Sequence, residues 1–121
     1  MKRLLAVILA LGLALALAGC RHIPKDATVK EFCGAGEKFN SLTKVSFDQG
    51  RKAIDALAGV GTPPDIDKDA RAGFVELIKR MDSSENADDF RARTQKLTKL
   101  ETEHRLDLYD YIQKTCTVPA G

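Results

Sequence analysis

Apolar residues recur every three or four positions in four successive stretches of this 121-residue chain. This spacing is typical of amphipathic helices, because it gathers the apolar side chains on one face. The chain has no clear alternation of apolar and polar residues and no two-residue hairpin signal, so strands are not expected. The pattern predicts an all-α fold, an up-down bundle of about four helices over residues 28–116.

Polar residues that can cap a helix mark where each predicted helix begins. Two of these residues are followed, three positions later, by a side chain that completes a capping box. The last pattern continues to Cys116 and is either one helix of about 30 residues, roughly 45 Å long, or two shorter ones. The predicted starts are Thr28 with Glu31, Ser46 with Gln49, Asp65 or Asp67, and a position near Asn86.

The first 20 residues follow a different pattern from the rest of the chain. Lys2 and Arg3 precede an apolar run over residues 4–17, which is 14 residues long (17 − 4 + 1). A membrane-spanning helix needs roughly 20 apolar residues, so this run is too short to cross a membrane. A basic start, a short apolar run and small residues before a cleavage point are typical of a secretory signal peptide. We therefore expect residues 1–19 to form a cleavable helix that is unrelated to the domain.

The stretch Leu17-Ala18-Gly19-Cys20 resembles the lipobox of bacterial lipoproteins. The resemblance implies that a diacylglycerol is attached to Cys20, that the chain is cut just before it, and that the lipid anchors the protein in the cell membrane, on its extracytoplasmic face. An uncleaved anchor, or a secretory leader with a chance cysteine, is the alternative. The expected organisation is a signal peptide over 1–19, a lipidated cysteine and tether over 20–27, a helical domain over 28–116 and a tail over 117–121.

Two cysteines remain once Cys20 carries the lipid. Cys33 and Cys116 form an even pair in an oxidising compartment, so we expect a disulfide between them, with two free buried thiols as the alternative. An up-down bundle places the start of its first helix and the end of its fourth at the same end, which suits this bond. Cys20 precedes Cys33 by only 13 residues (33 − 20), so this end of the bundle is expected to face the membrane.

The charge balance bears on possible partners. The full chain has 19 basic and 17 acidic residues, and removing Lys2 and Arg3 leaves 17 of each. A neutral mature domain has no overall basic field that would attract nucleic acid, so no nucleic-acid partner is expected. Oligomeric state does not follow from the sequence.

No catalytic or metal-binding motif stands out in the chain. His104 has Glu101 and Asp107 three residues away on either side, but one Glu-x-x-His motif is a weak metal signal, and a histidine with a local hydrogen bond is the favoured interpretation. Cys-x-x-Cys and Gly-x-Ser-x-Gly are both absent. We therefore expect no enzymatic activity, no metal and no cofactor apart from the lipid on Cys20.

One cluster of basic residues could form a partner surface. The cluster has no acidic residue within it, and it is either a docking surface for a charged partner or a solvated face that pairs with neighbouring helices. Its members are Arg91, Arg93, Lys96 and Lys99.

The domain as a whole resembles small helical envelope lipoproteins of high-GC Gram-positive bacteria. The resemblance is carried by the lipobox, Phe32-Cys33, the segment from Val60 to Phe74 and the closing Cys116. It implies location, fold and disulfide, but no activity. We expect a non-enzymatic interaction or accessory module of the cell envelope, with a possible envelope protein as partner. The alternative is a small-molecule binder whose pocket inside the bundle is lined by Phe39, Phe74, Phe90 and Tyr111.

Overall fold

The computed structural model describes residues 21–40 and 46–116, and within these residues it contains only α-helices and no strand. The all-α prediction is therefore confirmed. The expected signal peptide, Cys20 and the expected tail lie outside the described residues. The helices are α1 (Val29–Asn40), α2 (Phe47–Val60), α3 (Lys68–Ser83), α4 (Ala87–Gln95) and α5 (Lys99–Cys116).

Four of these helices form the bundle, and α4 lies at its edge. The most extensive contact joins α3 to α5, while α2 packs on α1 and α3, and α1 also contacts α5. The helices α2 and α5 therefore occupy opposite corners of the bundle. Buried apolar side chains from α1, α2, α3 and α5 meet in one core, whose largest members include Phe32, Ile54, Leu57, Phe74, Ile78, Met81 and Leu108.

The predicted capping boxes are present at the first two helix starts. The backbone N–H of Glu31 donates to Thr28 Oγ1 at 3.1 Å, and the N–H of Thr28 donates to Glu31 Oε1 at 3.1 Å. The same reciprocal pair joins Ser46 and Gln49 ahead of α2. Each box satisfies two of the backbone donors that a helix start would otherwise leave unpaired.

The long last pattern is two helices, because a third capping box interrupts it. The N–H of Thr98 donates to Glu101 Oε1 at 3.2 Å, and the N–H of Glu101 donates to Thr98 Oγ1 at 3.1 Å. This box starts a new helix, α5, after α4 has ended at Gln95. Asn86 caps α4, as predicted. Its Oδ1 accepts a hydrogen bond from the backbone N–H of Asp89 at 2.9 Å.

Two glycines allow close backbone approaches that fix the packing. Gly61 ends α2 with φ at +79°, and a Cβ atom there would lie 2.2 Å from the carbonyl oxygen of Pro24. Gly73 lies on α3, where a Cβ atom would be 2.3 Å from the carbonyl oxygen of His104 on α5. Both distances are far inside van der Waals contact, so a larger residue at either position would push the facing backbone away.

Candidate functional site

Residues 21–27, called the N-terminal segment from here on, were expected to form a short tether, and in the structure they pack against the bundle. Ile23 is 8% exposed and Ala27 is 5% exposed, and Ile23 belongs to the core. The N–H of Ala27 donates to the carbonyl of Thr62 at 3.2 Å, and the N–H of Thr62 donates to the carbonyl of Pro24 at 3.0 Å. These bonds fix the segment against the α2–α3 connection.

Arg71 holds the same segment from the α3 side. Its Nη2 donates to the carbonyl of Ile23 at 2.9 Å, and its Nη1 donates to the carbonyl of Pro24 at 3.2 Å and to Thr62 Oγ1 at 2.5 Å. Thr62 is fully buried, so the guanidinium satisfies polar groups that have no access to water. The side chain of Arg71 thereby binds two irregular stretches of backbone to α3, namely the N-terminal segment and the α2–α3 connection.

Arg21 forms a bridge between α2 and α3 at the start of the segment. Its Nη2 lies 2.8 Å from Asp55 Oδ1 on α2, and its Nη1 lies 2.9 Å from both carboxylate oxygens of Asp82 on α3. The hydrogen bond to Asp55, followed by that to Asp82, raises the pKa of Arg21. These side chains are 37–52% exposed, so the bridge positions the chain more than it stabilises the fold.

The bridge also shows where the described chain begins relative to the helices. Asp82 is the penultimate residue of α3, at the end of the bundle where α5 begins, whereas Cys116 closes α5 at the other end. Arg21 follows Cys20 directly in the chain. Arg21, the first residue that the structure describes, therefore lies on the flank between α2 and α3.

The predicted disulfide is present. Cys33 on α1 and Cys116 at the end of α5 are bonded, with their Cα atoms 5.3 Å apart. The bond closes a loop across 83 residues of sequence. It joins the first helix of the bundle to the last, and so holds together elements that the chain itself does not connect directly.

The predicted basic cluster is divided between two helices and a turn. Arg91 and Arg93 lie on α4, and each is paired within its own helix, with Asp88 at 3.3 Å and with Asp89 at 3.2 Å. Lys96 follows α4, and Lys99 begins α5, and both are exposed. The structure therefore supports local pairing for the two arginines and leaves two exposed lysines beside them.

Asp89 connects the start of α4 to the preceding turn. Its Oδ2 accepts from the backbone N–H of Glu85 at 3.0 Å, and its carboxylate also accepts from Arg93. The Glu85 bond, followed by that of Arg93, lowers the pKa of Asp89 because both favour the charged form. The first turn of α4 is thus held by polar contacts at the surface.

An open groove runs between α2 and α4 next to this cluster. Phe47 and Phe90 provide apolar walls, and Arg91, Thr94 and Gln95 add polar groups in a volume of about 330 Å³. The guanidinium of Arg51 lies over the ring of Phe47, 4.8 Å from its centre. The groove is a shallow surface feature with both apolar and cationic borders.

Of the four aromatic residues expected to line an internal pocket, the three whose side chains the structure describes do not surround one cavity. Phe74 and Tyr111 each contact Phe32, with ring centroids 5.8 Å apart in both pairs, and fill the core. Phe90 instead lines the outer groove. The side chain of Phe39 lies outside the described residues.

His104 forms a polar contact across the α3–α5 interface. Its Nδ1 lies 2.7 Å from Glu76 Oε1, and its Nε2 lies 3.8 Å from Asp69 Oδ1. The hydrogen bond to Glu76 raises the pKa of His104 above 6.5, so its contribution to stability is complete below that value and is lost as pH rises through the raised pKa. Glu101, the partner suggested by sequence spacing, binds Thr98 instead.

An exposed carboxylate cluster adjoins His104. Oxygen atoms of Asp67, Asp69 and Asp107 lie within 4.8 Å of one another, and all three side chains are exposed. Exposed acidic groups in such proximity are common without a bound ion. The cluster therefore gives no sufficient reason to infer a metal site.

No family model, curated protein or solved structure matches this chain. Among the residues that the structure describes, no helix is long and apolar enough to cross a membrane. The functional argument consequently rests on the sequence motifs and on the geometry above.

Proposed function

We propose that this chain is a lipid-anchored protein of the extracytoplasmic face of the cell membrane. In this proposal Cys20 carries the acyl lipid, and the helical domain is a non-enzymatic interaction or accessory module of the envelope. The lipobox that ends at Cys20 supports the anchor, and the Cys33–Cys116 bond is of the kind that persists outside the cytoplasm.

The observation that carries the proposal is the packing of the residues that directly follow Cys20. Arg21 comes next after the proposed lipid-bearing cysteine and is bonded to α2 and α3, and Ile23 enters the core. Contacts made so close to Cys20 support a processed form that starts at this cysteine.

The α2–α4 groove and the neighbouring lysines are the proposed partner surface. Phe47 and Phe90 offer apolar contact, Arg91 lines the groove beside them, and the exposed Lys96 and Lys99 follow α4 along the chain. Aromatic and arginine side chains are enriched at protein interfaces, where apolar area gives affinity and charge guides the encounter. An envelope protein that presents an apolar side chain among carboxylates is the partner of matching chemistry.

The test is photo-crosslinking of the full-length protein in its native membrane, followed by mass spectrometry. We expect acyl-lipid mass on Cys20 and one recurrent partner, which Cys20→Ala loses because that variant leaves the membrane. Lys96→Glu should reduce the yield of the crosslink several-fold. Lys30→Glu, the same charge change at an exposed position of α1, is the matched control and should leave the yield unchanged.

Each outcome bears on a different part of the proposal. Unmodified Cys20 in membrane-extracted protein would overturn the lipid anchor. Efficient crosslinking without a recurrent partner would overturn the interaction module. A thermal-shift screen would then test the small-molecule alternative, since a ligand that binds the folded state raises its melting temperature.

A further inference from the structure

Very little chain separates the proposed anchor from the folded domain. Ile23 is buried in the core, and only three peptide links connect it to Cys20. Consecutive Cα atoms are about 3.8 Å apart, so this connection spans at most about 11 Å. A lipid on Cys20 would bring the membrane surface to within that distance of the site where Ile23 enters the bundle.

The flank that faces this connection is defined by contacts on both neighbouring helices. Arg21 binds Asp55 on α2 and Asp82 on α3, and Arg71 on α3 binds the carbonyl of Ile23. The first residues of the N-terminal segment therefore lie between α2 and α3. The chain that directly follows Cys20 therefore enters the bundle on this flank.

Exposed lysines lie on the same sides of these helices. Lys52 precedes Asp55 by three residues on α2, and Lys79 precedes Asp82 by three residues on α3. Helical residues three apart are neighbours on one face, so each lysine lies one turn from a carboxylate that holds Arg21. Lys99 and Lys114 are also exposed but belong to α5, at the corner opposite α2.

We propose that the α2–α3 flank is a membrane-docking surface, held against phospholipid headgroups by the short connection to Cys20. Lys52 and Lys79 would then contact headgroup phosphates, while α5 and its lysines would face away from the membrane. The inference rests on the proposed lipid anchor and adds a fixed orientation to it.

Lysine footprinting of the full-length protein in native membranes tests this orientation without any added label. A membrane-impermeant acetylating reagent is applied to the membrane-bound protein and to the same protein in detergent, and each lysine is quantified by mass spectrometry. We expect Lys52 and Lys79 to react several-fold more slowly on the membrane. Lys114 on α5, which lies outside the proposed partner surface, should react equally in both states, and equal rates for Lys52, Lys79 and Lys114 would overturn the orientation.

A linker variant tests whether the short connection causes the protection. A ten-residue Gly-Ser linker between Cys20 and Arg21 adds an average reach of roughly 17 Å and should remove the protection of Lys52 and Lys79. The same linker added after Gly121 is the control and should leave protection intact. Protection that survives the first insertion would overturn the role of the connection.

Failure of the orientation is distinguishable from failure of the anchor. Protein that carries lipid on Cys20 and stays with the membrane, but shows no difference among the lysines, contradicts the docking surface alone. Protein without lipid on Cys20 contradicts both proposals. The mass of the N-terminal peptide is therefore measured in every sample.

Discussion

The N-terminal segment and α4 differ both in regular secondary structure and in burial against the core, and the more regular of the two is the less buried. Residues 21–27 contain no helix, yet Ile23 and Ala27 are among the buried residues of the domain. By contrast, α4 is a regular helix of nine residues and has no buried residue. The irregular region is the one that is built into the core.

The difference shows that regular backbone hydrogen bonds and attachment to a core are separate properties. The segment is held by apolar burial and by the guanidinium of Arg71, both of which depend on the rest of the fold. The helix α4 is held by its cap at Asn86, by surface ion pairs and by the half-buried ring of Phe90. Because isolated short helices are marginal in water, α4 should open more easily than the segment.

Removing the disulfide should have the largest effect, and it should loosen both regions together. Cys33→Ala with Cys116→Ala removes a cross-link over 83 residues, and loop-closure entropy sets a loss of up to about 4 kcal/mol in the free energy of unfolding. Denaturant unfolding measures the loss. A loss confined to α4, with the segment still protected from amide exchange, would contradict the view that the bond supports the whole bundle.

Gly61→Ala should selectively weaken the packing of the N-terminal segment against the bundle. The substitution forces a side chain into a backbone at φ +79° and against the carbonyl of Pro24, at a cost of about 2 kcal/mol. Hydrogen exchange should show lost protection at the amide of Ala27, with α4 unchanged. Gly59→Ala is the control, because a Cβ there has open space, and it should keep or raise stability. Equal effects at both glycines would contradict the proposed contact.

A side-chain truncation in the segment should cost more than a helix-weakening change in α4. We expect Ile23→Ala to lower the free energy of unfolding by about 2 kcal/mol, because a nearly buried side chain leaves a void. Ala92→Gly, at an exposed position of α4, should cost about 1 kcal/mol. The two variants are compared by urea unfolding under the same conditions. A larger loss for Ala92→Gly would reverse the ranking of the two regions.

The smallest expected effect is an acid-dependent loosening of α4. The lowered pKa of Asp89 means that its stabilising contribution is present above the unfolded value of 3.8 and is lost as pH falls through the folded value. Asp89→Asn should therefore reduce stability at pH 6 but have less effect near pH 3. Melting temperatures of the variant, the parent and the exposed control Glu103→Gln measure this. A penalty that does not shrink in acid would contradict the role of the carboxylate.

Local signals made most of the helices predictable. Thr28 with Glu31 and Ser46 with Gln49 lie three residues apart, so sequence alone contains both members of each capping box. The start of α5 carries the same signal, Thr98 with Glu101, but the apolar pattern continues across it and obscured the break between the two helices. The fold class follows from periodicity, and the cysteine pairing followed from an expected oxidising compartment and from the two cysteines that remain when Cys20 is set aside.

The position of the N-terminal segment could not be read from its own residues. Its short polar sequence with Pro24 is typical of a tether, and its burial depends on Gly61 and Arg71 far along the chain. Arg21 and Asp82 are 61 residues apart, and His104 and Glu76 are 28 apart. Such contacts depend on how the helices pack, which no local pattern specifies.

The bond between Cys33 and Cys116 also determines what a protease could release from this molecule. Every described helix except the first turn of α1 lies between the two bonded residues. A single cut in any of the intervening connections would give two polypeptides that remain covalently joined, so neither piece could diffuse away from the other. After such a cut, separation of the two pieces would require reduction of the bond or a second cut.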